Sequence, residues 1–252
     1  MFETEERGKR LILSLSRPPV NAINDEWLER FHAILGEIEG RDDLGVLHIR
    51  SSQRVFCGGM DVEHIRGLSR RPDGADAMVA DVLKFQRAFA KIEAMPQVVL
   101  AEIGGAALGG GLELALACDL RLASERAKIG LPEARLGLIP GAGGTQRLTR
   151  LCGRGIASRL ILSGEVIDGK TAERLGVVQW SFEHERLQGE AEGIAVRISE
   201  LSAASIREAK RLIAAAQDPS RDGYAEEAAA DRRLFALEDT QSRLVKFLEG
   251  AR

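Results

Sequence analysis

The stretch that decides the fold is AALGGGLELALACDLRLAS, at residues 106–124. A glycine triplet, Gly109–Gly111, leads into the apolar run LELALAC, and this pattern predicts a turn that opens a short helix, followed by a strand over DLRLAS. The first N–H groups of a helix have no partner within it and lie at the positive end of its dipole. The triplet therefore indicates amides that could stabilise an oxyanion, with tight packing of the turn as an equal alternative.

Two carboxylates accompany this turn. Glu113 lies in the predicted first helical turn among apolar neighbours, where burial raises the pKa of a carboxyl group. Glu133 follows Leu131-Pro132 in the stretch KIGLPEARLGLIPGAGG, at residues 128–144. A raised pKa suits a general acid or base near neutral pH, and two such groups can divide acid and base work. The ordinary alternatives are a carboxylate that stabilises a helix start at Glu113 and a surface residue at Glu133.

Strand and helix patterns alternate on both sides of this centre. The predicted strands are residues 9–16, 45–50 and 97–103, and the predicted helices are 24–39 and 75–94. Residues 64–75 carry charges, glycines and a proline, which predicts a mobile surface loop. From about residue 184 the pattern is helical throughout. The alternation predicts an α/β body, which we assign to residues 1–194, followed by a helical region at 195–252.

Composition narrows the classes of protein that fit. The chain has 252 residues and a net charge of −3, so it has no overall field that draws it to nucleic acid or to anionic lipid. Its three cysteines form no CxxC motif, which argues against a disulfide framework or a zinc site. The charged N-terminus is unlike a signal peptide, and no run of about 18 apolar residues is present. We therefore expect a cytoplasmic protein without a metal site, and without a nucleic-acid or membrane partner.

The central stretch and four further segments together resemble the crotonase (enoyl-CoA hydratase/isomerase) superfamily. These segments are RPPVNAIN at 17–24, VFCGGMDV at 55–62, IGLPEARLGLIPGAGGTQRLTRLCG at 129–153, and LSGEVIDGKTAERLGVV at 162–178. The resemblance covers nearly the whole chain. It implies the superfamily fold, a ClpP-like spiral of ββα units with a C-terminal helical trimerisation region, and hence a homotrimer or a hexamer built from two trimers.

The resemblance also implies an active site for an acyl-CoA substrate. It implies an oxyanion hole formed by the backbone N–H groups of Met60 and Gly110, and a water site that uses the backbone amide of Gly141. Glu113 would position and deprotonate water, and Glu133 would supply a proton to the α-carbon. Members with other chemistries commonly keep one of these glutamates or neither, so the pair implies an enoyl-CoA hydratase. No cofactor is implied, because coenzyme A is part of the substrate.

The implied coenzyme A contacts match the family less well. They fall on Arg17, Ala22, Asp61, Val62 and Phe247. Glu63 stands where the family often has a basic residue, and the segment SRLVKFLEGAR departs from the usual C-terminal signature EGxxAFxEKR. The segment 64–80 is expected to set the acyl chain length.

Three alternatives remain at this stage. Two belong to the same superfamily, an enoyl-CoA isomerase and a hydratase of the methylglutaconyl-CoA type, and the third is an RNA-binding relative. RNA binding is disfavoured by the negative net charge, by the presence of only one tyrosine, and by the lack of a long lysine-rich helix.

Overall fold

A computed structural model describes residues 1–250. Its strands are β1 (Phe2–Arg7), β2 (Arg10–Leu15), β3 (Val46–Ser51), β4 (Val98–Ile103), β5 (Ala107–Leu108), β6 (Leu120–Ser124), β7 (Ile129–Gly130), β8 (Val166–Ile167) and β9 (Trp180–Phe182). Its α-helices are α1 (Asp25–Glu39), α2 (Val62–Leu68), α3 (Gly74–Ala94), α4 (Gly110–Ala117), α5 (Gly144–Ser163), α6 (Gly169–Arg174), α7 (His184–Ser199), α8 (Ala203–Ala215), α9 (Gly223–Phe235) and α10 (Glu238–Gly250). A 3₁₀ helix spans Glu133–Leu136.

The strands form two sheets. The larger sheet has the order β1-β2-β3-β4-β6-β9, and all its pairings are parallel except the antiparallel pairing of β1 with β2. The smaller sheet has the order β5-β7-β8. Parallel neighbours require crossover connections, and helices between the strands provide most of them. The predicted α/β architecture is therefore confirmed.

Helix α4 lies inside the main core. All eight of its residues are buried, and a helix that is apolar on every side is stable only when it is surrounded by protein. The core around it contains Trp27 and Phe31 of α1, Phe89 of α3, and one face of the larger sheet. Helix α7 covers the opposite face of the sheet. This burial fixes the position of α4 and of the turn before it.

Two local predictions were incomplete or wrong. Strand β1 was not predicted, because its sequence FETEER is mostly charged and exposed; backbone pairing to β2 places it at the sheet edge. The predicted loop over 64–75 is wrong for residues 64–68, which belong to α2, and for residues 74–75, which begin α3. Asp61 caps this helix by accepting a hydrogen bond from the Glu63 N–H at 3.0 Å, a local interaction that favours a helix start.

The C-terminal part of the described chain is helical, as expected. Helix α7 packs on the larger sheet, and its buried residues include Leu187, Ile194 and Ala195. The predicted boundary between residues 194 and 195 therefore falls inside a continuous helix, and the division into two regions stays a prediction. Within residues 1–250, no helix combines the length and apolar character that crossing a bilayer requires.

Candidate active site

Two backbone amides meet where the loop after β3 approaches the start of α4. The Ile23 N–H donates to the Gly59 carbonyl at 2.8 Å, and the Asp61 N–H donates to the Ile23 carbonyl at 2.9 Å. In this parallel bridge the N–H of Met60 faces away from Ile23. A β-carbon built on Gly110 would lie 3.5 Å from the Met60 nitrogen. Within residues 1–250, neither the Met60 nor the Gly110 N–H donates to a backbone carbonyl, so both remain available to a ligand.

Gly109 shapes the turn that presents the Gly110 amide. Its φ of 53° lies in the left-handed region, where a side chain would be strained. Its carbonyl accepts hydrogen bonds from the N–H groups of Leu112 and Glu113, at 2.8 and 3.0 Å, and these bonds begin the helix. A β-carbon at Gly109 would also lie only 2.9 Å from Oε1 of Glu133. The glycine therefore permits the turn and lets a carboxylate approach it.

Glu113 is buried beside this turn. Its side-chain oxygen Oε1 accepts a hydrogen bond from the Gly144 N–H at 2.7 Å. Burial is the main influence on this carboxyl group and raises its pKa to about 7, with a smaller increase from the charge of Glu133. The Gly144 and Ala142 amides act in the opposite direction because they stabilise the ionised form. A carboxyl group in this state can exchange a proton near neutral pH.

Glu133 lies at the start of the 3₁₀ helix, directly after Pro132. Burial raises the pKa of its carboxyl group above the usual value. Its Oε2 atom is shielded from solvent and accepts no hydrogen bond from any group in residues 1–250. A buried carboxylate oxygen without a donor favours the protonated form, which can itself donate. The arrangement can therefore supply a proton next to the Gly109–Gly110 turn.

The amides that hold Glu113 come from the turn at residues 140–144. Sequence reasoning assigned Gly141 to the water site, and the structure places it in this turn, where its carbonyl accepts from Gln86 Nε2 at 2.8 Å. Gly144 and Ala142 were not predicted, although the glycine cluster GAGG indicated a helix start here. The role of the Gly141 amide toward water stays a prediction.

Four of the five predicted coenzyme A residues lie next to the amide pair. The Arg17 guanidinium donates to Asp61 Oδ2 at 2.8 Å and to the Ala22 carbonyl at 2.5 Å. This ion pair lowers the pKa of the Asp61 carboxyl group. Val62 follows Asp61 and is 69% exposed at the start of α2. Arg17 therefore links the N-terminal loop to the segment that presents the Met60 amide.

Phe247 lies apart from the other predicted site residues. It is 73% exposed on α10. It lines a cleft between the C-terminal helices together with Phe235 and Leu244, and none of the other predicted site residues lines that cleft. Within one chain, the structure does not bring Phe247 to the amide pair.

Comparisons with known proteins identify the family of the chain. A family model described as enoyl-CoA hydratase/isomerase matches residues 8–251. The short-chain-enoyl-CoA hydratase of Clostridium acetobutylicum is 32% identical over 97% of this chain and 93% of its own length. A Mycobacterium bovis protein with enoyl-CoA hydratase in its name is 36% identical over 97% of this chain and 93% of its own.

A solved structure extends the comparison to three dimensions. The crystal structure of an enoyl-CoA hydratase from Bacillus anthracis has a TM-score of 0.92 and 32% identity, covering 99% of this chain and 96% of that one. Coverage of this extent includes the C-terminal helices and confirms the predicted crotonase fold. The match of the family model over nearly the whole chain, with relatives above 30% identity, leads to one assignment. The chain belongs to the enoyl-CoA hydratase/isomerase family.

Proposed function

We propose that this protein is an enoyl-CoA hydratase, which reversibly adds water across the 2,3 double bond of an enoyl-CoA thioester. The observation that carries the proposal is a pair of carboxyl groups, Glu113 buried and Glu133 partly buried, both with raised pKa values, beside two backbone amides that donate to no backbone carbonyl in residues 1–250. Hydration needs an electrophile, an activated water and a proton source, and this set of groups provides all three. The names of the relatives support the same reaction.

The amides of Met60 and Gly110 polarise the substrate in this proposal. The thioester oxygen accepts hydrogen bonds from both, and negative charge develops on it as water attacks the β-carbon. Because the donors are fixed by backbone structure, they need no reorganisation during the reaction. One preorganised donor of this kind can stabilise the transition state by roughly 3–4 kcal/mol.

The two glutamates transfer the protons. Ionised Glu113 accepts a proton from the attacking water, whose oxygen forms a bond to the β-carbon. Protonated Glu133 donates to the α-carbon as the enolate-like intermediate collapses. Water is thereby added in full, and the two carboxyl groups regain their starting states by exchange with solvent. Assistance by an acid or a base of this kind typically contributes about 10²–10⁴ in rate.

The proposed substrate contacts follow the same geometry. The loop that Arg17 ties to Asp61 borders the amide pair, so we assign Arg17, Ala22, Asp61 and Val62 to binding of coenzyme A. Phe247 contributes in this proposal from a neighbouring copy of the chain in a homotrimer or hexamer. Coenzyme A enters as part of the substrate, and the proposed reaction uses no resident metal or redox cofactor.

A product analysis tests the proposed reaction. Purified protein is mixed with crotonyl-CoA in ¹⁸O-labelled water, and loss of absorbance of the conjugated thioester is followed together with mass spectrometry of the product. We expect rapid loss and a product heavier by one labelled water, with saturated butyryl-CoA unchanged as the matched control. Conversion of a 3-enoyl-CoA to its 2-enoyl isomer without incorporation of oxygen, and no hydration of crotonyl-CoA, would assign the protein to isomerase chemistry instead.

A further inference from the structure

The turn at residues 140–144 holds Glu113 through its amides, and the directions of these amides are fixed from outside the turn. In a planar trans peptide the C=O and the following N–H point in opposite directions. A hydrogen bond to one carbonyl therefore fixes the direction of the next residue's N–H. The groups that bind the carbonyls of this turn control how its amides face Glu113.

Three consecutive carbonyls of the turn are held. Gln86 Nε2 donates to the Gly141 carbonyl at 2.8 Å, and this fixes the plane that carries the Ala142 N–H. Arg147 holds the next two carbonyls in different ways: its guanidinium Nη1 donates to Ala142 at 2.8 Å and fixes the plane that carries the Gly143 N–H, whereas its backbone N–H, which any residue except proline would supply, donates to Gly143 at 2.8 Å. The last bond fixes the plane that carries the Gly144 N–H, the donor to Glu113.

An ion pair with Glu93 fixes the Arg147 side chain itself. Its Nε and Nη2 atoms donate to the two carboxylate oxygens of Glu93 at 2.9 and 2.6 Å. Such a bidentate pair has a defined geometry, and the Arg147 side chain is only 12% exposed. Gly143 makes room for it, because a β-carbon there would lie 2.2 Å from Nη1, and its φ of 107° excludes a side chain in any case.

Arg147 also acts on Glu113 through its charge. Two charged side chains influence this carboxyl group: Glu133 raises its pKa, and Arg147 lowers it. The guanidinium therefore opposes the effect of burial and favours the ionised carboxylate. A variant without the Arg147 guanidinium therefore lacks the hydrogen bond to the Ala142 carbonyl, and it also lacks the positive charge that lowers the pKa of Glu113.

We propose that Arg147, fixed by Glu93, is a positioning residue: by holding the Ala142 carbonyl it restrains the backbone of the 140–144 turn and so keeps the Gly144 amide in place against the Glu113 carboxylate. The proposal rests on the proposed function in assigning Glu113 as the base that activates water. Arg147 is assigned an effect on Glu113 through the turn and through its charge.

The first test is the pH profile of kcat/KM for crotonyl-CoA in the Arg147→Met variant. We expect the acidic limb to move upward in pH, because the variant loses a positive charge that favours the ionised Glu113 carboxylate. We expect kcat to fall by about tenfold to a hundredfold, since a small misplacement of a catalytic group has an effect of this size, while KM changes little. Arg159→Met is the matched control: Arg159 lies on the same helix and forms a bidentate pair with Glu165, at 2.7 and 2.8 Å.

A second readout does not depend on the reaction. The unfolding free energies of Glu113→Gln and its parent are compared from pH 5 to 9, once with Arg147 present and once in the Arg147→Met background. The divergence begins near the pKa of the unfolded chain in both backgrounds, and we expect the pH at which it levels off to move upward, and its final size to grow, in the absence of Arg147. Arg147→Lys keeps the charge but loses the forked geometry, so it serves where the methionine variant does not fold, and it should show a smaller shift with a large loss of kcat.

The two readouts separate failure of this inference from failure of the proposed function. If wild-type protein does not hydrate enoyl-CoA, the proposed function is wrong, while the unfolding comparison still tests the coupling of Arg147 to Glu113. An acidic limb and an unfolding comparison that are both unchanged by loss of Arg147 would overturn the inference, even if activity fell, because a purely structural role predicts that result.

Discussion

Glu113 and Glu133 have raised pKa values for the same main reason, burial, but they differ in their partners. Glu113 accepts a backbone hydrogen bond from Gly144 that stabilises its charge, whereas Oε2 of Glu133 has no donor in the described residues. The partners suit Glu113 to act as the base and Glu133 as the acid. Environments that separate two carboxyl groups in this way allow one site to carry both functions at one pH.

Because the pKa of Glu113 is raised in the folded state, we expect the free energy of unfolding to decrease as the pH rises. The carboxyl group of the unfolded chain ionises near its ordinary pKa of 4.5, while the folded one remains protonated up to about 7. Between these values, ionisation stabilises the unfolded state, so wild-type protein loses stability as the pH rises. Glu113→Gln has no group to ionise and escapes this loss.

We therefore expect Glu113→Gln to gain stability relative to wild type between pH 4.5 and 7, reaching about 3 kcal/mol above pH 7. Urea unfolding across this range measures the difference. Glu37→Gln, on the exposed side of α1, is the control: it measures how much the free energy of unfolding changes when a surface glutamate is replaced by glutamine. A difference between Glu113→Gln and wild type that stays constant with pH would contradict the assigned burial effect.

At this scale the sequence predicted the residues that lie in characteristic motifs, including the backbone donors of Met60 and Gly110, and missed the Gly144 amide that binds Glu113. Met60, Gly110, Glu113 and Glu133 follow from the motifs that resemble the family. The contact of Gly144 with Glu113 joins positions 31 residues apart through an amide, which every residue except proline possesses. Side-chain type therefore carries no signal for it, and only the tertiary structure reveals it.

At the scale of elements, the site is a meeting of two helix starts. Helix α4 begins at the turn that presents Gly110, and α5 begins at the turn that holds Glu113. Both starts leave N–H groups without helical partners, which can then bind a carboxylate or an oxyanion. The glycines at these turns are needed because they let a carboxylate side chain approach the backbone closely, and because some of them adopt a backbone conformation that other residues avoid.

Gly144→Ala tests this close approach. An added β-carbon would lie 2.9 Å from Glu113 Oε1 and 2.8 Å from Pro140 Cβ, so the carboxylate or the turn must move. We expect kcat to fall by about a hundredfold, together with a loss of stability of about 1–3 kcal/mol from overpacking. Steady-state kinetics and urea unfolding measure the two effects.

Gly155→Ala is the control within the same helix. A β-carbon there meets nothing within 4 Å, so activity should be unchanged and stability should rise by up to about 1 kcal/mol. Equal activity in both alanine variants would show that the approach of Gly144 to Glu113 has no catalytic importance.

Helices and strands could be predicted from the sequence where their apolar residues recur with a clear period. Helices α1 and α3 bury one apolar face, so their patterns were evident from the sequence. Strand β1 is a charged edge strand held by backbone pairing, and α2 has only seven residues, one of them buried. Neither shows an apolar period long enough to predict it.

At the scale of the whole molecule, the C-terminal helices present large apolar side chains to solvent. Tyr224 is 87% exposed, Phe235 64%, Phe247 73% and Leu248 63%. We propose that these side chains form an interface with a partner, because apolar surface exposed in one chain can be covered by association. The family resemblance makes the expected partner a further copy of this chain, in a homotrimer or a hexamer.

Sedimentation equilibrium at micromolar concentration tests this expectation. We expect a mass of three or six times the 27.4 kDa of the chain. Phe235→Ser combined with Phe247→Ser should shift the population toward smaller species, because polar side chains weaken an apolar interface. Leu162→Ser, at an exposed leucine on α5, is the matched control. A wild-type protein that sediments as a single 27.4 kDa species would contradict the proposed assembly.

The measurement that tests the central claim most directly is the rate of crotonyl-CoA hydration by wild type, Glu113→Gln and Glu133→Gln, compared at equal concentrations of folded protein. We predict rapid hydration by the wild type and a loss of about 10²–10⁴ in kcat for each variant, since each lacks one proton-transfer group. Wild-type hydration that persists at a similar rate in either variant would contradict the roles assigned to the two glutamates.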